Sequence, residues 1–183
     1  LKACPPLKIL ATSREKLHLQ GEQVFPIHGL EYPRKGLSED QHDFAAMELF
    51  IQTAKRIKPN FMLNNVEKGL LTDICRLTEG MPLSLELAAS WVDILSIEEI
   101  LHELLKSFDI LETDFRDMPE RHRSIRGVFD SSWELLTPKE RDIFPRLSIF
   151  RGGFGRDAAQ KVTNVTFREL VSLVNKSLVQ YNE

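Results

Sequence analysis

The sequence has few cysteines, no long apolar run and no secretion signal. Only 2 cysteines occur in 183 residues, too few for a disulfide framework, so a reducing compartment is the simpler expectation. No segment approaches the roughly 18 apolar residues that a membrane-spanning helix needs. The first residues lack the basic and apolar regions of a signal peptide. We therefore expect a cytoplasmic protein with no membrane partner.

An excess of positive charge is also missing. The formal net charge is -3 and the pI is about 6.0, whereas proteins that bind nucleic acid nonspecifically usually carry a basic balance. Direct nucleic-acid binding by this chain is therefore not expected. The hydrophobic share of 42% is ordinary, and the length suits one globular domain or two small ones.

Motifs for catalysis and metal binding are missing as well. No G-x-x-x-x-G-K-[ST] phosphate loop, H-E-x-x-H or C-x-x-C occurs, and the 5 histidines are scattered. Cys75 and His102 could form a nucleophile pair, but they fall on different predicted helices, so a buried structural thiol is the favoured interpretation. We assign no catalytic residue and no metal ligand.

One motif resembles a cofactor site but lacks its context. GFGRDA, from Gly153 to Ala158, matches the dinucleotide fingerprint G-x-G-x-x-[GA] after the apolar run SIF. The fingerprint requires one continuous crossover helix, whereas residues 163–166 divide the helical region that follows. We interpret the glycines as turn residues between a short strand and a helix.

The pattern of apolar residues divides the chain into three blocks. Residues 1–30 contain two strand-like runs, KILAT and VFPI, and a charged linker with proline and glycine follows. Residues 31–110 are predicted to form a four-helix bundle. Its helices begin near Phe44, Val66, Pro82 and Ile97, with Ser96 and Glu99 as a capping box. Val66 is predicted to lie on the apolar face of the second helix, and Gly80 to end that helix in a left-handed conformation. The third helix has little polar face, so we expect it at the centre of the bundle.

Residues 111–183 follow the order helix, helix, strand, helix, helix, strand. Capping boxes are predicted at Thr137 with Glu140 and at Thr166 with Glu169. The two strands would be SIF and SLVQYN. The residues predicted to face inward are Ile125, Val128, Phe129 and Trp133. This is the order of a winged-helix domain that is cut short. The predicted fold is thus mainly α, with small β elements.

Three stretches in this order resemble one protein family. In chain order, these stretches are KILATSRE with VFPI, GMPLSLELAA, and RHRSIRGVFDSSWELLTPKERDIFPRLSIFRGGF. They are similar to NB-ARC or STAND-class signal-transduction ATPases, which are related to AAA+ proteins. The similarity is strongest to the bacterial branch that is often joined to transcription-regulator or repeat domains. It implies the end of a nucleotide-binding domain, including the sensor-1 strand, over residues 1–30. It further implies a helical lid over 31–110 and a truncated winged-helix domain over 111–183.

The resemblance also implies roles for individual residues. Arg14 would be the sensor-1 arginine that reaches toward the γ-phosphate, and its guanidinium suits phosphate oxygens. Pro26, Gly80 and Pro82 would contact the nucleotide, the last through the adenine ring. The sequence stops before the stretch that carries the family's winged-helix nucleotide sensor, so no residue is assigned to that role. One departure from the family is Pro145, which should kink or end its helix.

From the residues themselves, Arg123 and Arg126 are candidate contacts for a phosphate or a partner, although a solvated helix face is the default interpretation.

The function that the resemblance implies is the regulatory part of a STAND-type ATP/ADP switch. An upstream P-loop domain of the parent would hold the nucleotide with magnesium, and the ATP state would favour self-oligomerisation. The parent would be a P-loop NTPase, whereas this chain alone should neither bind ATP tightly nor hydrolyse it. One alternative is a winged-helix DNA-binding transcriptional regulator, whose recognition helix would be Phe167–Lys176. Another is a protein-interaction module that is independent of nucleotide.

Overall fold

The protein is mainly helical in a computed structural model that describes residues 8–34, 44–114 and 118–181. These residues contain eight α-helices and two short 3-10 turns, at Phe108–Ile110 and Glu120–His122. The α-helices are α1 Ala45–Ile57, α2 Asn65–Leu77, α3 Pro82–Ala89, α4 Ile97–Lys106, α5 Ile125–Glu134, α6 Pro138–Leu147, α7 Arg156–Thr163 and α8 Phe167–Asn175. Among the described residues, no helix combines the length and apolar character that crossing a membrane requires.

Contacts between residues divide the chain into two compact units. The continuous unit is Pro26–Ser131, and the split unit combines Leu1–Phe25 with Ser132–Glu183. The three-domain division that the sequence suggested remains a prediction. The linker predicted after Leu30 falls largely in residues 35–43, outside the described residues.

Capping boxes begin four of the helices. The three that the sequence predicted, at Ser96, Thr137 and Thr166, are confirmed, because each hydroxyl accepts from the backbone of the glutamate three residues later and that glutamate accepts in return. Asn64 begins α2 in the same way with Glu67, a capping box that was not among the predicted ones. Each cap contributes on the order of 1 kcal/mol, so these four starts are determined locally.

The core of the continuous unit is formed where α1 packs on α3 and α2 packs on α4. Phe50, Leu71, Ile74, Leu85 and Ile100 are completely buried there. The central position predicted for the third helix agrees with its five buried residues, although α3 ends at Ala89, earlier than the pattern indicated. Val66, in the first turn of α2, was predicted to face the core but is 74% exposed.

The core of the split unit lies among α6, α7 and α8. Its buried apolar residues are Leu136, Ile143, Leu147, Ala159, Val165, Leu170 and Leu173. Pro145 lies within α6, which ends two residues later at Leu147, so the expected disruption is limited to the last turn. Phe129 in α5 was predicted to face inward, but it is 45% exposed.

The strands predicted from the sequence are wrong for the described residues. KILAT and VFPI are irregular, SIF is a turn after α6, and SLVQ follows α8 as a turn and bend. A strand requires a partner for its backbone groups, and these runs have none among the described residues. The apolar side chains of KILAT and VFPI are accordingly exposed, with Leu10 at 98% and Phe25 at 87%, whereas Phe150, Leu178 and Val179 pack partly against the core of the split unit. The one isolated β-bridge in the described chain joins Glu112 and Ser124.

Candidate functional site

Two glycines allow the backbone to cross itself at the start of α3. The Leu30 N–H donates to the Gly80 carbonyl at 2.8 Å. A Cβ on Gly80 would lie 2.1 Å from the Leu30 oxygen, and a Cβ on Gly29 would lie 2.5 Å from the Glu79 oxygen. Gly80 also has φ +67°, as the sequence predicted for the residue that ends α2. We call this contact between residues 29–30 and residues 79–80 the glycine crossing. The role of Gly29 was not predicted from the sequence, because it depends on a segment that is distant along the chain.

The glycine crossing positions Pro82, one of the predicted nucleotide contacts. Gly80 is buried against Leu30, so its observed role is close packing between backbone segments. Pro82 follows at the first position of α3, where a missing N–H costs nothing, and it is exposed. Pro26 is also exposed. The nucleotide contacts of all three residues remain predictions.

Arg14 is held within the split unit. Its Nη1 donates to the Ser132 hydroxyl at 2.8 Å, and its carbonyl accepts from the Ser177 hydroxyl at 2.8 Å. The Lys16 N–H also donates to the Asn175 carbonyl, at 3.3 Å. The predicted phosphate-sensing arginine is therefore half-buried and already bonded to a hydroxyl.

Arg123 borders a cleft of about 480 Å³ in the continuous unit. The cleft is lined by Ser90, Trp91, Ile94, Glu112, Thr113, Asp114, Glu120, Arg123 and Ser124. Three carboxylates oppose one guanidinium in this lining, which makes it a poor site for phosphate. Arg123 Nε also donates to the Met118 carbonyl at 3.0 Å, so it braces the preceding loop.

Arg126 lies on an exposed surface. Its Nη1 is 3.8 Å from Asp109 Oδ1, and the two side chains are 79% and 75% exposed, so the pair contributes little. The solvated helix face that was the default interpretation describes Arg126 well. A phosphate or partner contact for either Arg123 or Arg126 remains a prediction.

The structure gives no support to a nucleophile pair of Cys75 and His102. Cys75 is buried in the core of the continuous unit, and burial raises the pKa of its thiol to about 12. His102, its proposed partner, is exposed on α4. Over the described ranges, no group of three His, Cys, Asp or Glu side chains could hold a metal ion.

Helices α7 and α8 are joined by three residues. Asn164 adopts a left-handed conformation at φ 59°, Val165 is buried, and Thr166 caps α8. The Thr163 hydroxyl donates to the Ala159 carbonyl and accepts from the Val165 N–H, which fixes the turn from the inside. Two short helices joined by a tight turn are the order found in helix-turn-helix motifs. The interruption that the sequence predicted at residues 163–166 is confirmed.

Buried charge links α8 to α6. Lys176 Nζ donates to Glu140 Oε2 at 2.7 Å and to the Leu135 carbonyl at 2.8 Å, and Glu140 is 3% exposed. Burial opposes ionisation of Glu140, but hydrogen bonds from Lys176, Ser172 and Thr137 outweigh it and lower its pKa to about 2. Lys176, whose side chain is 15% exposed, is therefore tied to the interior of the split unit through Glu140.

The exposed face of α8 is mixed in character. Phe167 and Val171, one helical turn apart, are 58% and 39% exposed, and Arg168 is exposed beside them. The Arg156 guanidinium carbon lies 4.8 Å from the centre of the Phe167 ring. Lys139 pairs with Glu169, and hydrogen bonds from Lys139 and then from the Thr166 backbone lower the pKa of Glu169.

Comparison with curated proteins finds relatives much longer than this chain. A Mycobacterium tuberculosis (strain H37Rv) protein named "Putative HTH-type transcriptional regulator" is 35% identical over 186 residues, covering 98% of this chain and 20% of that protein. A Mycobacterium bovis protein with the same descriptive name matches equally well. Another Mycobacterium tuberculosis protein, named "Uncharacterized protein", is 35% identical over 162 residues, or 88% of this chain and 39% of its own length.

The chain thus spans about a fifth of the length of the regulators that it matches. No family model matches the sequence, and no solved structure matches the chain.

Proposed function

We propose that this chain acts in transcriptional regulation as a segment of a longer helix-turn-helix regulator. The observation that carries the proposal is the 35% identity over 98% of the chain to a protein whose name describes such a regulator. The α7–α8 pair with its three-residue turn supports it independently, because it supplies the order of the motif. Within a longer regulator, this segment would be the part that responds to a signal.

The signal that we propose is a nucleotide. This part of the proposal rests on the resemblance to NB-ARC and STAND ATPases, in which lid and winged helix close over ADP and are released by ATP. The glycine crossing is consistent with it, because it leaves Pro82 exposed at the start of α3, where a nucleotide ring could stack. A P-loop domain elsewhere in the parent would hold ATP or ADP with magnesium, and this segment would shift between two states.

A second candidate function is direct DNA recognition by α8. The α7–α8 turn favours it, as do the exposed Arg168 and Arg156. Against it stand the net charge of -3 and the use of Lys176 as a buried partner of Glu140. Exposed Phe167 and Val171 also offer no donors to base edges. We therefore place this function second.

One titration separates the two functions. The chain is mixed with fluorescent duplex DNA, and the fluorescence anisotropy is measured between about 50 and 200 mM salt. The Arg168→Ala variant is compared with Arg146→Ala, which is a matched change on α6. For the signalling function we expect no saturable binding and no difference between the variants. Binding that weakens steeply with salt and is reduced only by Arg168→Ala would establish DNA recognition instead.

The nucleotide part has its own test. Calorimetry of the chain with ATP and magnesium should show no micromolar binding, because the described residues include no phosphate-cradling loop. Tight binding to this chain alone would contradict the proposed dependence on a separate P-loop domain.

A further inference from the structure

An early segment of the chain caps the end of α8. Residues 13–16, which we call the strap, contact α8 and the end of α5 through three hydrogen bonds across more than 100 residues of sequence. Two of them act at the C-terminus of α8, and the third joins Arg14 to Ser132. The helix-turn-helix pair is therefore completed by a segment that is remote in sequence.

The two hydrogen bonds at the end of α8 pair groups that have no hydrogen-bond partner within the last turn of that helix. The Asn175 carbonyl is among the last carbonyls of α8, which have no partner within the helix, and it accepts from the Lys16 N–H. Ser177 has φ 57°, a conformation unusual for a residue with a side chain, and its hydroxyl donates to the Arg14 carbonyl. The strap thus holds the chain at the point where it leaves α8.

A turn held by Glu22 follows the strap along the chain. Glu22 Oε1 accepts from the Leu17 N–H at 2.9 Å, and its second oxygen accepts from the Leu19 N–H. The Leu17 backbone N–H lowers the pKa of this carboxyl, with smaller contributions from Leu19 and His18. The docked residues are therefore continuous with an ordered turn.

We propose that the strap is a conformational latch: residues 13–16 hold the C-terminal end of α8 in place, and their release loosens that end. Arg14 is the link to any signal, since a ligand that captured its guanidinium would compete with the Ser132 hydroxyl. The latch goes beyond the proposed function, and its existence depends neither on a nucleotide nor on DNA binding. It makes the state of α8 depend on a segment far earlier in the chain, with 163 positions between Arg14 and Ser177.

The test uses two variants that each remove one strap bond. Ser177→Gly deletes the hydroxyl that holds the Arg14 carbonyl and at the same time relaxes the left-handed backbone, so backbone strain cannot explain a loss. Ser132→Ala removes the hydroxyl that accepts from Arg14 Nη1. Ser148→Ala is the matched control, because its hydroxyl bonds only locally, to the Pro145 carbonyl on α6.

Two measurements on the full chain report the latch. The first is the initial rate of tryptic cleavage after Lys16, relative to cleavage after the exposed Lys8 in the same molecule. The second is hydrogen exchange at the amides of Lys176, Ser177 and Leu178, which are bonded at the end of α8. Thermal unfolding confirms that each variant is folded.

We expect the relative cleavage rate and the exchange at the end of α8 to rise about fivefold in both Ser177→Gly and Ser132→Ala, the factor for one hydrogen bond of about 1 kcal/mol. Ser148→Ala should match the unmodified chain. Equal cleavage after Lys16 and Lys8 in the unmodified chain would overturn docking of the strap. Faster cleavage with unchanged exchange at the end of α8 would overturn the latch, since the strap would then dock without controlling the helix.

Discussion

The glycine crossing offers the sharpest test of the continuous unit. Replacing Gly80 with alanine places a Cβ 2.1 Å from the Leu30 carbonyl oxygen and 3.0 Å from Tyr32 Cδ1. Neither obstacle is a flexible side-chain end, so the 30–32 segment has to move. The move breaks the hydrogen bond from the Leu30 N–H to the Gly80 carbonyl.

The magnitude follows from three contributions. Alanine at φ +67° costs about 1–2 kcal/mol relative to glycine. The lost hydrogen bond adds about 1 kcal/mol, and reduced burial of Leu30 and Tyr32 adds about 1 kcal/mol more. We expect Gly80→Ala to lower the free energy of unfolding of the continuous unit by about 3–4 kcal/mol, a large part of the stability of a small domain.

The same chain supplies a control. Gly69 lies inside α2, where an added methyl group would meet nothing within 4 Å, so Gly69→Ala should stabilise the unit by about 0.5–1 kcal/mol. The assay is urea unfolding followed by Trp91 fluorescence in a Trp133→Phe background, so that only the continuous unit is observed. With a slope of about 2 kcal/mol per molar, the two variants should differ by about 2 M in midpoint. Equal midpoints for Gly80→Ala and Gly69→Ala would refute the crossing.

Three further outcomes follow from the structure. Lys176→Met should destabilise the split unit by about 3 kcal/mol, because it leaves the Glu140 carboxylate buried without its cation. The measurement is chemical unfolding monitored by Trp133 fluorescence, and an effect below about 1 kcal/mol would contradict the expectation. Folding lowers the pKa of Glu140 from 4.5 to about 2. Ionised Glu140 therefore adds about 3 kcal/mol to the free energy of unfolding above pH 4.5, and this contribution is lost as the pH falls toward 2. In a Glu140→Gln chain, the free energy of unfolding should change less with pH over that window. Cys75 should resist alkylation at about pH 8 in the native state and react after denaturation, as mass spectrometry of its peptide would show; rapid native labelling would mean that its surroundings are open.

Local chemistry made most of the helices predictable. A capping residue with its glutamate, a proline at a first position and a glycine after a last turn each act within four residues, so the sequence contains the whole interaction. The break between α7 and α8 was visible for the same reason. The apolar periodicity likewise placed α3 in a core, because few of its positions could face water.

The predicted strands failed because a strand depends on its neighbours. KILAT and VFPI have the residue types of strands, yet a sheet forms only where another segment pairs with the backbone, and no such segment lies beside them in the described chain. The same dependence explains Phe129 and Val66, whose spacing was suitable but whose position in the fold left them exposed.

The sequence by itself determined where most of the helices begin, through their capping residues and first-turn prolines, and which residues could carry charge. Only the tertiary structure decided how those residues are used: Gly80 packs against Leu30, Arg14 bonds to Ser132, and Lys176 pairs inside the split unit with Glu140. The partners in these contacts are between 36 and 118 positions apart, and no local pattern encodes such a distance. Folding brings the partners together, and the partner sets the role of each side chain.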